Sequence, residues 1–242
     1  MSGQPTRFFF VHLQKTAGTS LWMRLQRHFP RENLYPTLDS KGDVSAVIDV
    51  DELRRSWRLH REELRVVTGH FPLCTVELLG VPFTTMTVLR DPVDRTLSYL
   101  RHHRSTIAED ANRSLSEIYD DPFRFHGLIH NHMVKMLSMS TDEMTDGALT
   151  HIEFTTAHLD RAKANLESID VVGLQDDFES FCDELTRRFG WKLGRPTHTN
   201  RSEPAADDDD NGDLHDRIVS DNALDLALWE HARKLVAART PE

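Results

Sequence analysis

Two short stretches of this 242-residue chain gather side chains suited to holding anions. In HLQKTAGTS, residues 12 to 20, Lys15 offers a point charge and Thr16, Thr19 and Ser20 offer hydroxyl donors. Gly18, next to Ala17, allows close backbone approach. An apolar run precedes this loop and an amphipathic stretch follows it. It therefore reads as a strand end passing into a helix, where unpaired N–H groups and the positive end of the helix dipole favour a phosphate. In VLRDPVDRTLSYL, residues 88 to 100, Arg90 stands at the carboxyl end of a strand and Ser98 about two helical turns further on. A guanidinium fork with a hydroxyl on the neighbouring helix face makes a second phosphate site. The plainer alternatives are a capped turn for the first stretch and an Arg90–Asp94 ion pair for the second.

The first loop is not a Walker A sequence, which needs a glycine, four residues and then Gly-Lys-Ser/Thr. Here Lys15 precedes Gly18, no glycine opens the loop, and the third strand ends in Leu89-Arg90 where a magnesium carboxylate would be expected.

The elements that must position these residues follow from periodicity. Residues 7 to 13 read as a buried strand, and 19 to 28 as a helix with Leu21, Trp22 and Leu25 inward. A charged helix (51 to 64) feeds a second strand, RVVTGH. A helical stub closed by Gly80 precedes a third strand (83 to 89), and Asp91-Pro92 starts a helix running beyond Tyr99. Residues 105 to 150 read as short helices and loops, rich in histidine and without a strand pattern. A helix (156 to 168), a fourth strand (IDVVGL) and a helix ended by Gly190 come next. The stretch 204 to 213 reads as a mobile acidic loop, and 221 to 239 as an amphipathic C-terminal helix. Strands alternating with helices predict a P-loop-like three-layer α/β/α architecture with a central, mainly parallel sheet, in one domain spanning 1–242.

Composition narrows the partners. Apolar residues make up 38% and charged residues 28%, with a formal net charge of -10. Nucleic acid and anionic membrane surfaces are thereby poor principal partners. Cys74 and Cys182 read as small buried hydrophobes in a reducing compartment. No stretch reaches the length of a transmembrane helix, and MSGQPTR leads straight into the first strand, so a cytoplasmic location is expected.

Two anion sites at neighbouring strand ends suggest one nucleotide with phosphates at two positions. That combination resembles the sulfotransferases that use 3′-phosphoadenosine 5′-phosphosulfate (PAPS). HLQKTAGTS is similar to their 5′-phosphosulfate loop and LRDPVDRTLSYL to their 3′-phosphate motif. The nearest likeness is to the heparan sulfate 2-O- and 6-O-sulfotransferases and their bacterial relatives. TGHF (68 to 71) resembles the segment that carries the catalytic base, NHMVKMLS (131 to 138) a further family stretch, and THTNRSEP the loop closing over the nucleotide. Ala17 stands where the family often has glycine.

The resemblance implies transfer of a sulfuryl group from PAPS to an acceptor hydroxyl, with no metal required. His70 is then the base and Lys15 the stabiliser of developing charge. Thr16, Ala17, Gly18, Thr19, Ser20, Arg90, Ser98, Asn200 and Arg201 would bind the nucleotide. The acceptor implied is a carbohydrate or glycoconjugate, and the acidic chain favours a neutral or small one. The segment 105 to 150, with Arg101, Arg104, His126 and His130, is the expected acceptor wall. Competing expectations are a P-loop nucleotide kinase or NTPase, and a non-catalytic nucleotide-binding protein. Of the other histidines, His12 reads as orienting the loop or as a structural hydrogen-bonder. The His126/His130 spacing lacks the further ligands a metal would need.

Overall fold

The computed structural model describes residues 6–37, 45–195 and 212–239. Its sheet has five strands: β1 (Phe8–Val11), β2 (Leu34–Tyr35), β3 (Val66–Gly69), β4 (Thr84–Leu89) and β5 (Val171–Leu174). They lie in the order β2-β3-β1-β4-β5, and every pairing is parallel. The helices are α1 (Gly18–His28), α2 (Ser45–Ile48), α3 (Val50–His60), α4 (Thr75–Leu79), α5 (Pro92–Thr106) and α6 (Leu115–Tyr119). They continue as α7 (Pro122–Arg124), α8 (His132–Ser138), α9 (Thr156–Ser168), α10 (Phe178–Phe189), α11 (Gly212–Asp221) and α12 (Ala223–Arg239). A π-helical turn, Phe125–Ile129, sits between α7 and α8.

The run Phe8-Phe9-Phe10-Val11 shows why the sheet is covered on both sides. Alternate side chains face opposite ways along a strand. Phe9 and Val11 join one buried cluster with Trp57, Met133, Leu166 and Trp229, from α3, α8, α9 and α12. Phe8 and Phe10 join another with Leu21, Leu25, Phe181 and Leu185, from α1 and α10. All four strand residues are buried, so hydropathy alone reads as a continuous apolar run.

Helix starts follow local chemistry. The Asp49 carboxylate accepts the N–H groups of Asp51 and Glu52, and that of Asp91 accepts those of Val93 and Asp94, with Pro92 in the first turn of α5. The α10 helix ends at Gly190, whose φ of 70° places it in the left-handed region. Both cysteines are buried free thiols, as expected.

Several elements differ from expectation, among them the short helix α2 and the earlier end of α3 at His60. The edge strand β2 was not anticipated, because two residues are too few to show a period. Gly212–Asp221 is helical, where the acidic loop was expected to run to 213. Leu214 and Ile218 bury this helix against Val93, Leu97 and Leu100 of α5. The remainder of that loop, like Asn200 and Arg201, lies outside the described residues. Among the described residues no helix is long and apolar enough to cross a membrane.

The helices α8 and α12 cap each other. Asp225 accepts N–H bonds from Met133 (3.0 Å) and Val134 (2.7 Å), and Asn131 Oδ1 accepts those of Leu224 and Asp225 (both 3.1 Å). Asp225, Arg95 and Lys135 are all essentially inaccessible to solvent. Burial raises the Asp225 carboxyl to about 6, against the pull of Arg95, and lowers the Lys135 amine to about 7. Lys135 donates to the carbonyls of His126, Gly127 and Thr150 (3.1, 2.6 and 3.2 Å). Removing one member leaves buried charges and amides uncompensated. Asp225→Ala should therefore cost about 3 kcal/mol or more in urea unfolding, seen as a lower midpoint at unchanged slope.

Candidate active site

Ligands of open parallel sheets sit beyond the carboxyl ends of the strands, where the strand order reverses. From β1 the chain first fills one side of the sheet, with β2 and β3, and then crosses to β4 on the other. The residues leaving β1, β3 and β4 are His12, His70 and Arg90. Val11 is level with Gly69 on one side and Thr87 on the other, so these three strands end close together. Thr87 Oγ1 donates to the Val11 carbonyl at 2.9 Å and ties β4 to the start of the loop.

The loop itself is a strained turn. Lys15 (φ 64°) and Ala17 (φ 69°) both adopt left-handed backbone, with Thr16 between them outside that region. Alternation of this kind is what turns successive amides toward one concavity in anion-binding nests. Thr16 is buried, and its hydroxyl donates to the Leu13 carbonyl at 2.8 Å, so that side chain fastens the turn. Arg90 Nη1 fastens it again by donating to the Lys15 carbonyl at 3.2 Å. No side chain caps the start of α1, and its first turn holds no acidic residue. The amides of Gly18, Thr19 and Ser20 are left to a ligand or to water. Thr19 is exposed and Ser20 half-buried. Because alanine is strained at φ 69°, Ala17→Gly should leave the fold intact and raise its stability by up to ~1 kcal/mol, measurable by thermal unfolding.

Positive charge converges here. Burial, then the Arg90 charge, lowers the Lys15 amine below its usual range. The Arg90 guanidinium is lowered by burial, partly offset by Asp94 and Asp91, while Arg101 pushes it the same way as burial. The Arg90–Asp94 ion pair does not form, and Arg90 Nε is buried without a partner. Ser98 is half-buried one helical turn beyond Asp94 on α5. Asp91, the acidic residue nearest the β4 end, is occupied as the α5 cap.

The imidazole of His70 stands at the end of β3, next to the start of the loop. Its backbone N–H donates to Val47 of α2 at 2.7 Å, and its Nδ1 lies 2.8 Å from the His12 carbonyl. A carbonyl can only accept, so Nδ1 carries the proton and neutral His70 keeps its lone pair on Nε2. Nε2 has no hydrogen-bond partner among the described residues. Burial lowers the His70 pKa, the His12 bond opposes this, and the Lys15 charge lowers it further. The unprotonated imidazole therefore dominates at neutral pH.

Two further histidines lie in the same electrostatic environment. His12 has its ring centroid 4.3 Å from that of His70. His132, in the first turn of α8, is fully buried with both ring nitrogens unpartnered. Burial, then Arg95 and Lys135, holds it far below the usual range, with smaller contributions from His70 and His12. Sequence reasoning did not single out His132, because only the packing of α8 brings it near His70 and His12. In the i, i+4 pair, His126 lies within the π-turn and His130 directly follows it. His126 faces His151 (4.4 Å between centroids), and His130 stacks on Phe125 (5.1 Å, interplanar 8°). Among the described residues no group of three or more His, Cys, Asp or Glu side chains is arranged to hold a metal ion.

No protein-family model matches the chain, and no curated protein matches it. Among solved structures it is similar to the crystal structure of a sulfotransferase from Alicyclobacillus acidocaldarius. The two share 18% identity over 93% of this chain and 94% of that chain, with a TM-score of 0.49.

Proposed function

We propose that the protein is a sulfotransferase that moves the sulfuryl group of PAPS to an acceptor hydroxyl. The observation that carries this reading is an uncapped helix start beside an imidazole that feels the Lys15 charge and is fixed as the Nδ1–H tautomer with Nε2 free. A nucleotide-binding protein has no use for a base there. A kinase would need a magnesium carboxylate, and the strand end supplies Arg90 instead.

In the proposed reaction the acceptor O–H gives its proton to Nε2 of His70 as its oxygen forms a bond to sulfur. The bond from sulfur to the 5′-phosphate oxygen breaks, and its electron pair leaves with that oxygen. Lys15 and the amides of the first turn of α1 stabilise the charge that builds there, and such preorganised donors are usually the largest single contribution. Arg90, with Ser98 on the adjoining helix, takes the 3′-phosphate, a charge-assisted role suited to a guanidinium. The acceptor class that fits is a sugar or small glycoconjugate hydroxyl, with the residue 105–150 segment as its wall. Asn200 and Arg201 would close over the nucleotide.

The test is to incubate the protein with PAPS and a chelator, offering neutral oligosaccharides, a glycolipid and small alcohols in turn. Release of adenosine 3′,5′-bisphosphate that depends on the acceptor is the expected result. Faster turnover of ATP with magnesium, and none of PAPS, would sink the reading.

A further inference from the structure

The ring of His12 occupies a position that its own hydrogen bonding does not explain. A Cβ built on Gly18 would fall 1.8 Å from His12 Nε2 and 2.0 Å from Cδ2, so the imidazole lies flat against the first residue of α1. Its ring neighbours are His70, tilted by 37° at 4.3 Å between centroids, and Phe10, stacked at 5.5 Å. No hydrogen bond reaches its ring nitrogens among the described residues. The side chain is thus a flat spacer between the anion loop and the imidazole assigned as base, while its carbonyl takes the Nδ1 proton of that same imidazole.

We propose that His12 is the positioning residue that joins the anion loop to the base. Its ring, wedged between Gly18 and His70, keeps the imidazole aligned on the His12 carbonyl and within reach of an anion on α1. This rests on the reading of His70 as base and of α1 as the donor's anion site. The role needs a flat face and not a ring nitrogen. The surroundings keep that face uncharged: burial, then His70 and Lys15, holds the His12 pKa well below the usual histidine range. Gly18 is required for the same reason, since any side chain there must displace the ring.

The test uses the full chain with nitrogen-15-labelled histidine, recorded with and without adenosine 3′,5′-bisphosphate. In the wild type, His70 should show one tautomer, Nδ1–H, and the bisphosphate should raise its pKa, because a nearby anion favours the imidazolium. His12→Phe should keep both signatures. His12→Ala retains the carbonyl but should mix the two tautomers and lose about half or more of the bisphosphate-induced rise. Its affinity for the bisphosphate should stay within about fivefold, since the loop amides and Arg90 make the contacts. His12→Leu, which fills the space without a flat face, should behave like His12→Ala and serves if the alanine variant does not fold. A single tautomer and a full shift in either of these variants would overturn the inference. The tautomer needs no nucleotide, so failure of the donor reading, seen as no bisphosphate binding by the wild type, is told apart from failure of this contact.

Discussion

His70→Ala is expected to lower acceptor-dependent release of adenosine 3′,5′-bisphosphate from PAPS by about 10²–10⁴-fold, the usual worth of a positioned general base. Affinity for the bisphosphate should be unchanged, because His70 leaves β3, while the proposed anion contacts come from the loop after β1 and from Arg90 after β4. The pH dependence follows from the same geometry. With the His70 pKa below its ordinary 6.5, the base is already unprotonated at neutral pH. At saturating donor the rate should fall on the acid side and stay level above neutrality. It should fall again only as Lys15 loses its proton, below its ordinary 10.5. Rate measurements across this range check both limbs, and a rate climbing steadily above neutrality would contradict the assignment of the base.

Lys15→Ala and Arg90→Ala should separate chemistry from binding. In the proposed reaction Lys15 faces the charge that develops on the leaving oxygen, so its loss should cost about 10²–10³ in kcat, the range seen when one preorganised donor is removed. Arg90, in the same proposal, holds a phosphate that does not react. Its loss removes an interaction made equally in the ground and transition states, which raises KM and leaves kcat nearly untouched. A complication is that Arg90 also fastens the loop by its bond to the Lys15 carbonyl. Arg90→Lys keeps the charge while losing the fork, and should restore binding only in part. Steady-state kinetics with PAPS on the three variants reads this split. Equal losses of kcat in Lys15→Ala and Arg90→Ala would mean that the two cations do not have distinct roles.

Most of this site was legible because its parts are local. A strand end, a loop with Lys15 and Gly18, and a helix start are contiguous in sequence, as are Leu89, Arg90 and the α5 cap at Asp91. His70 was legible for the same reason, since it directly follows an apolar run. What was not legible depends on distant contacts. In sequence Gly18 permits close backbone approach, whereas in the fold it also makes room for the His12 ring. Thr16 offered a hydroxyl in sequence, but the turn directs it to Leu13. Nothing in NHMVKMLS signals that Asn131 caps α12, that Asp225 caps α8, or that Lys135 is held by three carbonyls. These bonds span up to 94 residues of sequence. The two-residue strand β2 left no periodic trace, and α11 was masked by the acidic residues before it.

The central claim is that the cleft between β1 and β4 holds a nucleotide bearing separate 5′- and 3′-phosphates. It is tested most directly by calorimetric titration of the purified protein with adenosine 3′,5′-bisphosphate in chelator, and separately with ATP plus magnesium, for the wild type and Arg90→Ala. Metal-independent binding of the bisphosphate, tighter than that of ATP with magnesium and weakened in Arg90→Ala, is the predicted result. Preference for ATP with magnesium, indifferent to the loss of Arg90, would contradict it.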